Sequence, residues 1–450
     1  MKNKKFWSDW LFPIISLGAF ASLLAAMLVD MNSINVGSLL SYSSGLLAYT
    51  MMLTVTFMAS RPRFLEKIFG MPEMYEVHAI ISIVLSILTG VHVFLQWNGL
   101  RWVTDMSIVS QTGWIAVISL LVVMFTGIFS ISGIIVDRYE SLRHFKSKLN
   151  RELNLWLHRL AIVAIIGVYF HLFFLPFLRE NTVFMVLMTG YTVFVLGYYL
   201  AWKFKIALST EYKVKSIYKA TPSLWVLEFE PVEGRTMESY RAGDYFFIRF
   251  KGDADITREG HPFSTSSAMT TRYSNSIEFM IKEAGDWTRA LANIKEGDIA
   301  TFEGPYGNFL PEAVEETPEA EVPYILLGGG IGLTPNLSVL RHEVQNNSQR
   351  EIHLIWGLAY EEDMFMLEEL EEAKRKLPNF DYHIIFSNEE VEGYPFGFIN
   401  HEFLESIGAD HYRDGHFFVC GPGPMLNGMR KMLADGNVPY DQIHLDDFGF

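Results

Sequence analysis

The chain has 450 residues, half of them hydrophobic, and a formal net charge of −15, which is enough sequence for two or three domains. Lys and Arg outnumber Asp and Glu 16 to 10 up to residue 210, whereas the remainder has 20 against 41. This acidic remainder has no basic patch interleaved with aromatic residues, which argues against a nucleic-acid partner. The single cysteine, Cys420, excludes an intramolecular disulfide and a cysteine-based zinc or iron–sulfur site. It suits a reducing cytoplasm.

Six apolar stretches in the basic part are long enough to cross a membrane core of about 30 Å. They predict six spans, at 11–29, 36–59, 77–97, 113–136, 157–175 and 183–202. Segments rich in Lys and Arg precede the first stretch and follow the second, fourth and sixth. Because cationic loops stay cytoplasmic, this pattern places both termini inside. A cleaved signal peptide is the alternative for the first stretch, but its removal would leave an odd number of spans.

Four histidines lie in or at the ends of the third and fifth stretches: His78, His92, His158 and His171. If both stretches run outward, His78 and His158 lie near the cytoplasmic side and the other two lie nearer the outside. Fourteen helical residues rise about 21 Å, so the two levels fit two stacked metal sites. Imidazole pairs from facing helices suit the iron of a b-type haem. For any one histidine, a hydrogen bond between helices is the alternative.

The histidine spacing in the fifth stretch is less regular than in the third. At about 100° per residue, fourteen steps fall only about 40° short of four turns, whereas the thirteen from His158 to His171 miss by about 140°. Either the fifth helix is locally distorted by a π-bulge or bend, near Gly167 for example, or the pairing is wrong. His144 would restore a spacing of fourteen, but it lies in polar, basic sequence and is rejected.

The acidic part has a different organisation. Short alternating runs such as LWVLEFE and DYFFIRF predict the strands of a small antiparallel β-barrel that extends to about Phe309. Buried strands, glycine-rich loops and a helix follow in YILLGGGIGLTPNLSVLRHE, EIHLIWGLA and GHFFVCGPGPM. This alternation predicts a parallel sheet with a nucleotide at its carboxyl edge.

The first of these loops has four glycines that allow the backbone to approach a pyrophosphate: Gly328, Gly329, Gly330 and Gly332. Thr334 is predicted as the N-cap of the next helix and Pro335 as its first residue, so that the helix start offers free N–H groups to the anion. Within the barrel, the run HPFSTSSA (261–268) suits a flat ring with polar edges and its phosphates. A Ser/Thr-rich turn is the alternative for that run.

Six ordered segments resemble the NADPH oxidase (NOX) and ferric reductase family and cover nearly the whole chain. HPFSTSS, KEAGDWTRAL and EGPYGNF resemble its flavin segments, LLGGGIGLTP and FVCGPGPM its nicotinamide segments, and RPRFLEKIFG with the paired histidines its membrane domain. The resemblance implies a bacterial NOX-like flavocytochrome b, in which a six-helix transmembrane bundle precedes a ferredoxin-NADP reductase-like module. The expected domains are a haem domain at 1–208, an FAD-binding β-barrel at 209–318 and an NAD(P)H-binding α/β domain at 319–450.

The resemblance also implies roles for individual residues. Ser264 is expected near the flavin N5, Cys420 and Gly421 beside the nicotinamide, and an aromatic residue over the flavin ring, with Phe448 the first choice and Phe450 the second. Ser264, Cys420 and Phe448 are thus the expected catalytic residues. The remaining expected cofactor contacts are His261, Pro262, Phe263, Ser266, Ser267, Trp287 and Thr288 for FAD, and the four loop glycines with Thr334 for the nucleotide. The expected haem iron ligands are His78, His92, His158 and His171.

The expected activity is electron transfer from cytoplasmic NAD(P)H, through FAD and two haems, to an acceptor outside the cell membrane. O2 giving superoxide is the first expectation and ferric iron the second; an electron-transfer subunit that reduces a partner protein and a flavin reductase on an inert helical anchor are alternatives. After the strand IHLIWG, where NADPH-using relatives carry an Arg, this chain has Glu361, Glu362 and Asp363. Because carboxylates repel a 2′-phosphate, NADH is expected to serve at least as well as NADPH.

Overall fold

The computed structural model describes residues 2–29, 35–96, 107–131, 140–141, 144, 151–252, 256–268, 275–318 and 322–447. These residues form two compact units with a boundary between Ala207 and Leu208. We call them the helical unit (residues 2–207) and the sheet unit (residues 208–447).

The helical unit contains nine described α-helices: α1 Lys2–Val29, α2 Val36–Ala59, α3 Arg63–Phe69, α4 Met71–Leu95, α5 Ile108–Thr126, α6 Arg151–His158, α7 Ala161–Phe173, α8 Pro176–Arg179 and α9 Thr182–Ala207. Five helical segments are long and apolar enough to cross a membrane: Trp10–Val29, Met71–Leu95, Ile108–Phe129, Leu153–Phe173 and Thr182–Ala207. Among the described residues, five of the six predicted spans are therefore long and apolar enough to cross a membrane. Helix α2, the predicted second span, does not.

Helix α2 is less apolar because neighbouring helices enclose it. Its buried polar residues include Ser41, Ser44, Thr50, Thr54 and Thr56. The hydroxyl of Ser16 on α1 donates to Thr54 Oγ1 at 2.8 Å, and Tyr49 is hydrogen-bonded to Thr192 on α9. Polar side chains that find partners on adjacent helices are compatible with an environment without water. A helix inside a bundle therefore needs less apolar surface than one that faces lipid.

The first half of the sheet unit is an antiparallel barrel of six strands: β1 Glu211–Thr221, β2 Leu224–Pro231, β3 Tyr245–Phe250, β4 His261–Ser264, β5 Ile277–Lys282 and β6 Ile299–Tyr306. Their order is β4-β3-β6-β1-β2-β5. A bridge between Thr265 and Phe279, with the Ser266 N–H donating to the Glu278 carbonyl at 2.9 Å, joins the two edge strands and closes the sheet. The predicted antiparallel barrel is confirmed.

The second half of the sheet unit is a five-stranded parallel sheet with strands β7 Tyr324–Gly329, β8 Ile352–Leu358, β9 Phe380–Phe386, β10 His416–Cys420 and β11 Ile443–Asp446. Short helices α10 Asp286–Arg289 and α11 Glu312–Glu315 precede it, and its own helices are α12 Leu333–Gln345, α13 Leu367–Lys376, α14 His401–Ser406 and α15 Gly423–Asp435. The strand order is β11-β10-β7-β8-β9, and the predicted parallel sheet is confirmed. The chain reverses its direction of winding between β7 and β10, and such a switch point opens a crevice at the carboxyl edge.

Arg341 on α12 joins the barrel to the parallel sheet region. Its Nη1 donates to Glu278 Oε1 on β5 at 2.6 Å and to the Ser266 carbonyl at 2.9 Å. Its Nε and Nη2 bind both carboxylate oxygens of Glu369 on α13, at 2.6 and 2.9 Å. Burial lowers the pKa of Arg341, but the two carboxylates around the guanidinium outweigh burial and raise that pKa overall. This polar clamp fixes the two halves of the sheet unit against each other, and nothing in the local sequence identified it.

Candidate functional site

The helical unit brings the four predicted histidines together in two pairs. The ring centres of His78 and His158 lie 6.5 Å apart, and those of His92 and His171 lie 6.3 Å apart. These are the pairs that the two-level interpretation of the sequence predicts. A metal ion held between two imidazole nitrogens at about 2 Å each places the ring centres roughly 6 Å apart. The observed separations therefore leave room for one metal ion at each level.

Each histidine ring is hydrogen-bonded to a backbone group. Carbonyl oxygens accept from Nδ1 in three rings: Ser41 from His92 at 2.8 Å, Val123 from His158 at 3.2 Å and Val109 from His171 at 2.9 Å. His78 is hydrogen-bonded to the backbone of Val55. A carbonyl only accepts, so the proton is on Nδ1 in those three rings and the Nε2 lone pair is left for a metal. The donor set at each level is thus two imidazole rings, which fits the iron of a b-type haem.

Three glycines let neighbouring helices approach the histidine rings closely. A Cβ atom on Gly45 would lie 2.8 Å from Nδ1 of His92, and one on Gly113 would lie 3.1 Å from Nδ1 of His171. A Cβ on Gly127 would lie 3.4 Å from Cε1 of His158. The backbone at these positions forms part of the wall that orients each ring. Sequence reasoning did not select these glycines, although their place within apolar stretches was a usable signal.

The fifth apolar stretch is distorted, as one of the two alternatives predicted, but the distortion lies immediately after His158. Helix α6 ends at His158 and α7 begins at Ala161. Between them the N–H groups of Arg159 and Leu160 donate to carbonyls three residues back, at 3.1 and 2.9 Å. Such tight turns rotate the chain by about 120° per residue instead of about 100°. The tight turn at Arg159–Leu160 therefore supplies part of the 140° of rotation that thirteen regular helical residues lack between His158 and His171.

Gly167, the position suggested for the distortion, has a different role. A Cβ atom there would lie 3.1 Å from the backbone nitrogen of Ala116 and 3.2 Å from the carbonyl oxygen of Thr112. Gly167 therefore allows α7 and α5 to pack closely. A π-helical turn is present, but it follows α5 at Gly127–Ile131, where Gly127 faces the ring of His158.

In the sheet unit, Cys420 lies at the carboxyl end of β10, next to the central strand β7. It pairs in register with Gly328 on β7 and with Asp446 on β11. The glycine loop after β7 packs against the loop after β10: a Cβ on Gly332 would lie 2.1 Å from the Cys420 carbonyl oxygen, and one on Gly329 would lie 2.3 Å from Sδ of Met425. These glycines are required by the contact between the two loops.

Gly330 is the loop glycine that faces open space. Its φ is +54°, a left-handed conformation that favours glycine, and a Cβ atom added there would have no described atom within 4 Å. In the same loop, Gly329 and Gly332 are in close contact with the segment that follows β10. An anion that approaches the backbone at the switch point would therefore meet the loop at Gly330.

The helix after this loop begins earlier than predicted. Gly332 is the N-cap and α12 starts at Leu333, so Thr334 and Pro335 are its second and third residues. The Thr334 hydroxyl donates to the Ile331 carbonyl at 2.8 Å and does not cap the helix. The cause is the 3-10 turn at Gly330–Gly332, which continues directly into the helix. Pro335 is tolerated because N–H groups of the first turn have no intrahelical acceptor.

Ser264, at the end of β4, contacts the parallel sheet at Asp446. Its hydroxyl donates to Asp446 Oδ2 at 2.8 Å, which places Ser264 beside the edge that carries Cys420. Burial, with the nearby charges of Asp446 and Asp447, raises the pKa of the Cys420 thiol well above its usual value. The thiol is therefore neutral at physiological pH and is not an activated nucleophile. Sequence reasoning selected Ser264 and Cys420 but missed Asp446, whose signal was the acidic pair before the terminal aromatic residues.

The other hydroxyl groups selected in the barrel are engaged within the protein. Ser266 Oγ donates to Glu278 Oε1 at 2.7 Å, and Ser267 Oγ is 2.8 Å from the hydroxyl of Tyr240. The Thr288 hydroxyl accepts from the N–H groups of Ala284 and Gly285, both at 2.9 Å. These three side chains shape the walls of the barrel end rather than presenting free hydroxyl groups.

An aromatic cluster stands beside them. The Trp287 ring stacks on Phe263 with centres 5.3 Å apart and lies 4.7 Å from the ring centre of His261. Trp287 is buried, and its indole N–H has no hydrogen-bond partner among the described residues. Pro262 pairs in register with Phe247 on β3. Phe448 and Phe450, the predicted aromatic cover, lie outside the described residues, which end at Asp447.

The acidic segment after β8 is partly neutralised. Asp363 forms an ion pair with Lys282 on β5, with Nζ and Oδ1 2.7 Å apart. Glu361 and Glu362 belong to the same 3-10 turn, Glu361–Asp363. A small open pocket adjoins this ion pair and is also lined by Gly330 and Ile331. The acidic turn thus lies close to the glycine loop in space.

Comparisons with known proteins agree with this geometry. Residues 231–309 match a family described as FAD-binding domain, and residues 326–431 match one described as oxidoreductase NAD-binding domain. The sheet unit is therefore an oxidoreductase module with the ferredoxin reductase-like arrangement of an FAD-binding domain followed by an NAD-binding domain. Both matched segments lie within the sheet unit.

Two curated relatives are similar to part of this chain. The reductase component of propane 2-monooxygenase from Rhodococcus jostii (strain RHA1) is 30% identical over 52% of this chain and 62% of its own length. A subunit of the Na(+)-translocating NADH-quinone reductase from Neisseria meningitidis is 30% identical over 37% of this chain and 41% of its own. The chain thus spans less than two thirds of either relative. A flavohemoglobin structure from Malassezia yamatoensis resembles it in fold, with a TM-score of 0.50 at 17% identity over 96% of this chain and 98% of that one.

Proposed function

We propose that this chain is a transmembrane oxidoreductase of the NADPH oxidase and ferric reductase type, which takes electrons from cytoplasmic NAD(P)H and delivers them to an acceptor outside the cell membrane. The observation that carries the proposal is the pair of facing histidine sites, 6.5 and 6.3 Å between ring centres, in one chain with an FAD-binding and an NAD-binding domain. When bound, FAD would supply the conversion of one hydride from the nucleotide, which carries two electrons, into single electrons that haem iron held by the histidines can accept one at a time.

In the helical unit, His78 with His158 would hold the haem on the cytoplasmic side, and His92 with His171 would hold the outer one. Backbone carbonyls at Nδ1 keep Nε2 of His92, His158 and His171 unprotonated, which is the form that binds iron. A sixth span at α2 completes the proposed bundle, with both chain termini in the cytoplasm. Helix α2 needs less lipid-facing apolar surface for this, because its neighbours bury most of the helix between Ser41 and Met58.

In the sheet unit, the backbone at Gly330 would receive the nucleotide pyrophosphate at the switch point. Ser264 and Cys420 would flank the place where nicotinamide meets the flavin ring, and the hydrogen bond from Ser264 to Asp446 holds that serine in position. A neutral Cys420 offers a soft contact without a competing charge. His261, Phe263 and the buried Trp287 would form the wall against the FAD, and Phe448 would cover the flavin ring.

We place O2 first as the acceptor, with superoxide as product, because O2 requires no ligand cluster on the outer side; ferric iron is second. A partner protein as acceptor is the other candidate. It is favoured by the names of the two relatives, one a reductase component and the other an enzyme subunit. Rapid oxidation of NADH by O2 with the purified chain alone would contradict a dependence on a partner protein.

The experiment that tests the proposal is a reduced-minus-oxidised spectrum of the purified chain with a count of haem per chain, followed by NADH-driven assays in sealed vesicles. We expect b-type Soret and α bands and two haems. His92→Ala should lose one haem and the reduction of external O2 or ferric iron, while NADH-driven dye reduction by the sheet unit persists. His144→Ala, which replaces the histidine rejected as a ligand, is the control and should keep both haems. Absence of b-type bands from the wild type would refute the haem proposal.

A further inference from the structure

A group of three potential metal ligands lies in the sheet unit, away from the cofactor edge. Oε1 of Glu351 is 3.0 Å from Nε2 of His353 and 3.3 Å from Nε2 of His411. The three ligand atoms all lie within 4.8 Å of one another. The segments that carry them are far apart in sequence, so the arrangement is a product of the fold.

The local structure explains why these side chains meet. Glu351 directly precedes β8 and His353 is the second residue of that strand, so their side chains point to the same face of the sheet. His411 comes from the segment between α14 and β10. Its Nε2 is buried and has no hydrogen-bond partner among the described residues. Its Nδ1 lies 3.7 Å from Asp414 Oδ1, which is longer than a hydrogen bond.

We propose that Glu351, His353 and His411 bind a zinc ion. Around a tetrahedral zinc ion, ligand atoms about 2.0–2.1 Å from the metal lie roughly 3.3 Å from one another. The separations of Glu351 Oε1 from the two histidine nitrogens, 3.0 and 3.3 Å, agree with this value to within a few tenths of an ångström, and the third separation is no more than 4.8 Å. The histidine side chains are 12% and 24% exposed and that of Glu351 is 47% exposed. Water can therefore fill the fourth position from the open side.

The position of the site indicates a role in stability rather than in electron transfer. Strand β8 has seven residues and rises about 3.3 Å per residue, so the site lies on the order of 20 Å from the carboxyl edge where the nucleotide binds. Zinc also has no redox chemistry of its own. The ion would fasten the start of β8 to the segment before β10. This inference does not depend on the haem sites or on the identity of the electron acceptor.

The test uses the full-length chain in detergent, stripped of metal with a chelator and then titrated with zinc chloride in competition with a chromophoric chelator. We expect one zinc per chain, a loss of affinity of at least about tenfold in His353→Ala and in His411→Ala, and a rise in the thermal midpoint with zinc that both variants lack. Glu351→Gln keeps the side-chain shape and should also weaken binding, which covers the case in which a histidine variant fails to fold.

His342→Ala is the matched control. His342 also lies beside a single glutamate, with its Nε2 3.3 Å from Glu315 Oε1, but it belongs to no three-ligand group among the described residues. This variant should bind zinc as the wild type does. The proposal is overturned if the wild type binds no zinc, if all variants bind it with wild-type affinity, or if His342→Ala loses as much affinity as the other variants.

Discussion

Gly45→Ala should remove the proposed outer haem without replacing an iron ligand. The added Cβ would lie 2.8 Å from Nδ1 and 3.0 Å from Cε1 of His92. Since ordinary contacts begin near 3.5 Å, the ring must move by about 0.7 Å. The same Nδ1 is held at 2.8 Å by the Ser41 carbonyl on α2, so this movement also stretches a hydrogen bond. Metal–ligand distances tolerate deviations of only about 0.2 Å.

Overpacking of this kind costs about 1–3 kcal/mol, which corresponds to a fall in the affinity for the proposed outer haem of roughly five- to 150-fold. The other glycines beside histidine rings give a graded series. Gly113→Ala, with a closest contact of 3.1 Å to His171, should have a smaller effect, and Gly127→Ala, at 3.4 Å, the smallest. Gly90→Ala is the matched control because Gly90 is on α4, as is His92, and has no described atom within 4 Å of its Cβ position.

The assay is the haem content per chain of purified variants, read with the reduced-minus-oxidised spectrum. The expected order of haem retention is Gly90→Ala, Gly127→Ala, Gly113→Ala and then Gly45→Ala, which should hold about one haem. NADH-driven dye reduction should stay at the wild-type level throughout, showing that the sheet unit is intact. Two fully ligated haems in Gly45→Ala, or a loss in Gly90→Ala equal to that in Gly45→Ala, would refute the steric reasoning.

Three further predictions concern the sheet unit. Arg341→Met leaves the carboxylates of Glu278 and Glu369 uncompensated and should destabilise the unit by about 3 kcal/mol, measured by thermal unfolding, with an unchanged haem spectrum. The pKa of the Cys420 thiol is raised in the folded chain, so the unfolded chain releases this proton first and the stability of the wild type falls as pH rises above about 8.5. Cys420→Ala should abolish this loss of stability at alkaline pH. In the wild type, we expect the preference for NADPH over NADH to be less than tenfold. Asp363→Ala frees Lys282 from its ion pair and should raise kcat/KM for NADPH relative to NADH by about fivefold.

Controls separate these effects from general damage. For Arg341→Met, Lys376→Met removes an exposed cation whose ion pair with Glu372 is fully on the surface and should change stability by less than about 1 kcal/mol. The same change in stability between pH 8 and pH 10 in wild type and in Cys420→Ala would contradict the raised thiol pKa. An unchanged NADPH to NADH ratio in Asp363→Ala would show that Lys282 does not reach the 2′-phosphate.

The elements whose sequence carries a strong local pattern were the ones predicted correctly. The parallel sheet and the barrel follow from buried or alternating strands punctuated by glycine, and the fold agrees with both. The start of α12 was misplaced because a Thr-Pro pair is a good local signal for a helix start. The 3-10 turn at Gly330–Gly332 depends instead on the loop fitting against Cys420, which is a contact between distant segments.

The histidine pairs were predictable from spacing, but their surroundings were not. The break at Arg159–Leu160 contains no proline or glycine that would have predicted it. Gly167, the position suggested for the distortion, instead allows close packing of α7 against α5. Likewise Asp446 and Arg341 act through partners from other segments: Ser264 in one case, Glu278 and Glu369 in the other. Such contacts exist only in the folded chain, and periodicity within one segment does not reveal them.

The break after His158 also has a mechanical consequence. Because the helical pattern tightens at Arg159–Leu160, His158 and His171 lie on the two successive helices α6 and α7, whereas His78 and His92 share the continuous helix α4. The geometry of this turn sets the distance and angle between His158 and His171, whereas the regular helix α4 sets those between His78 and His92. One side of the proposed electron path thus has a spacing fixed by regular helix geometry, and the spacing on the other side depends on a single turn.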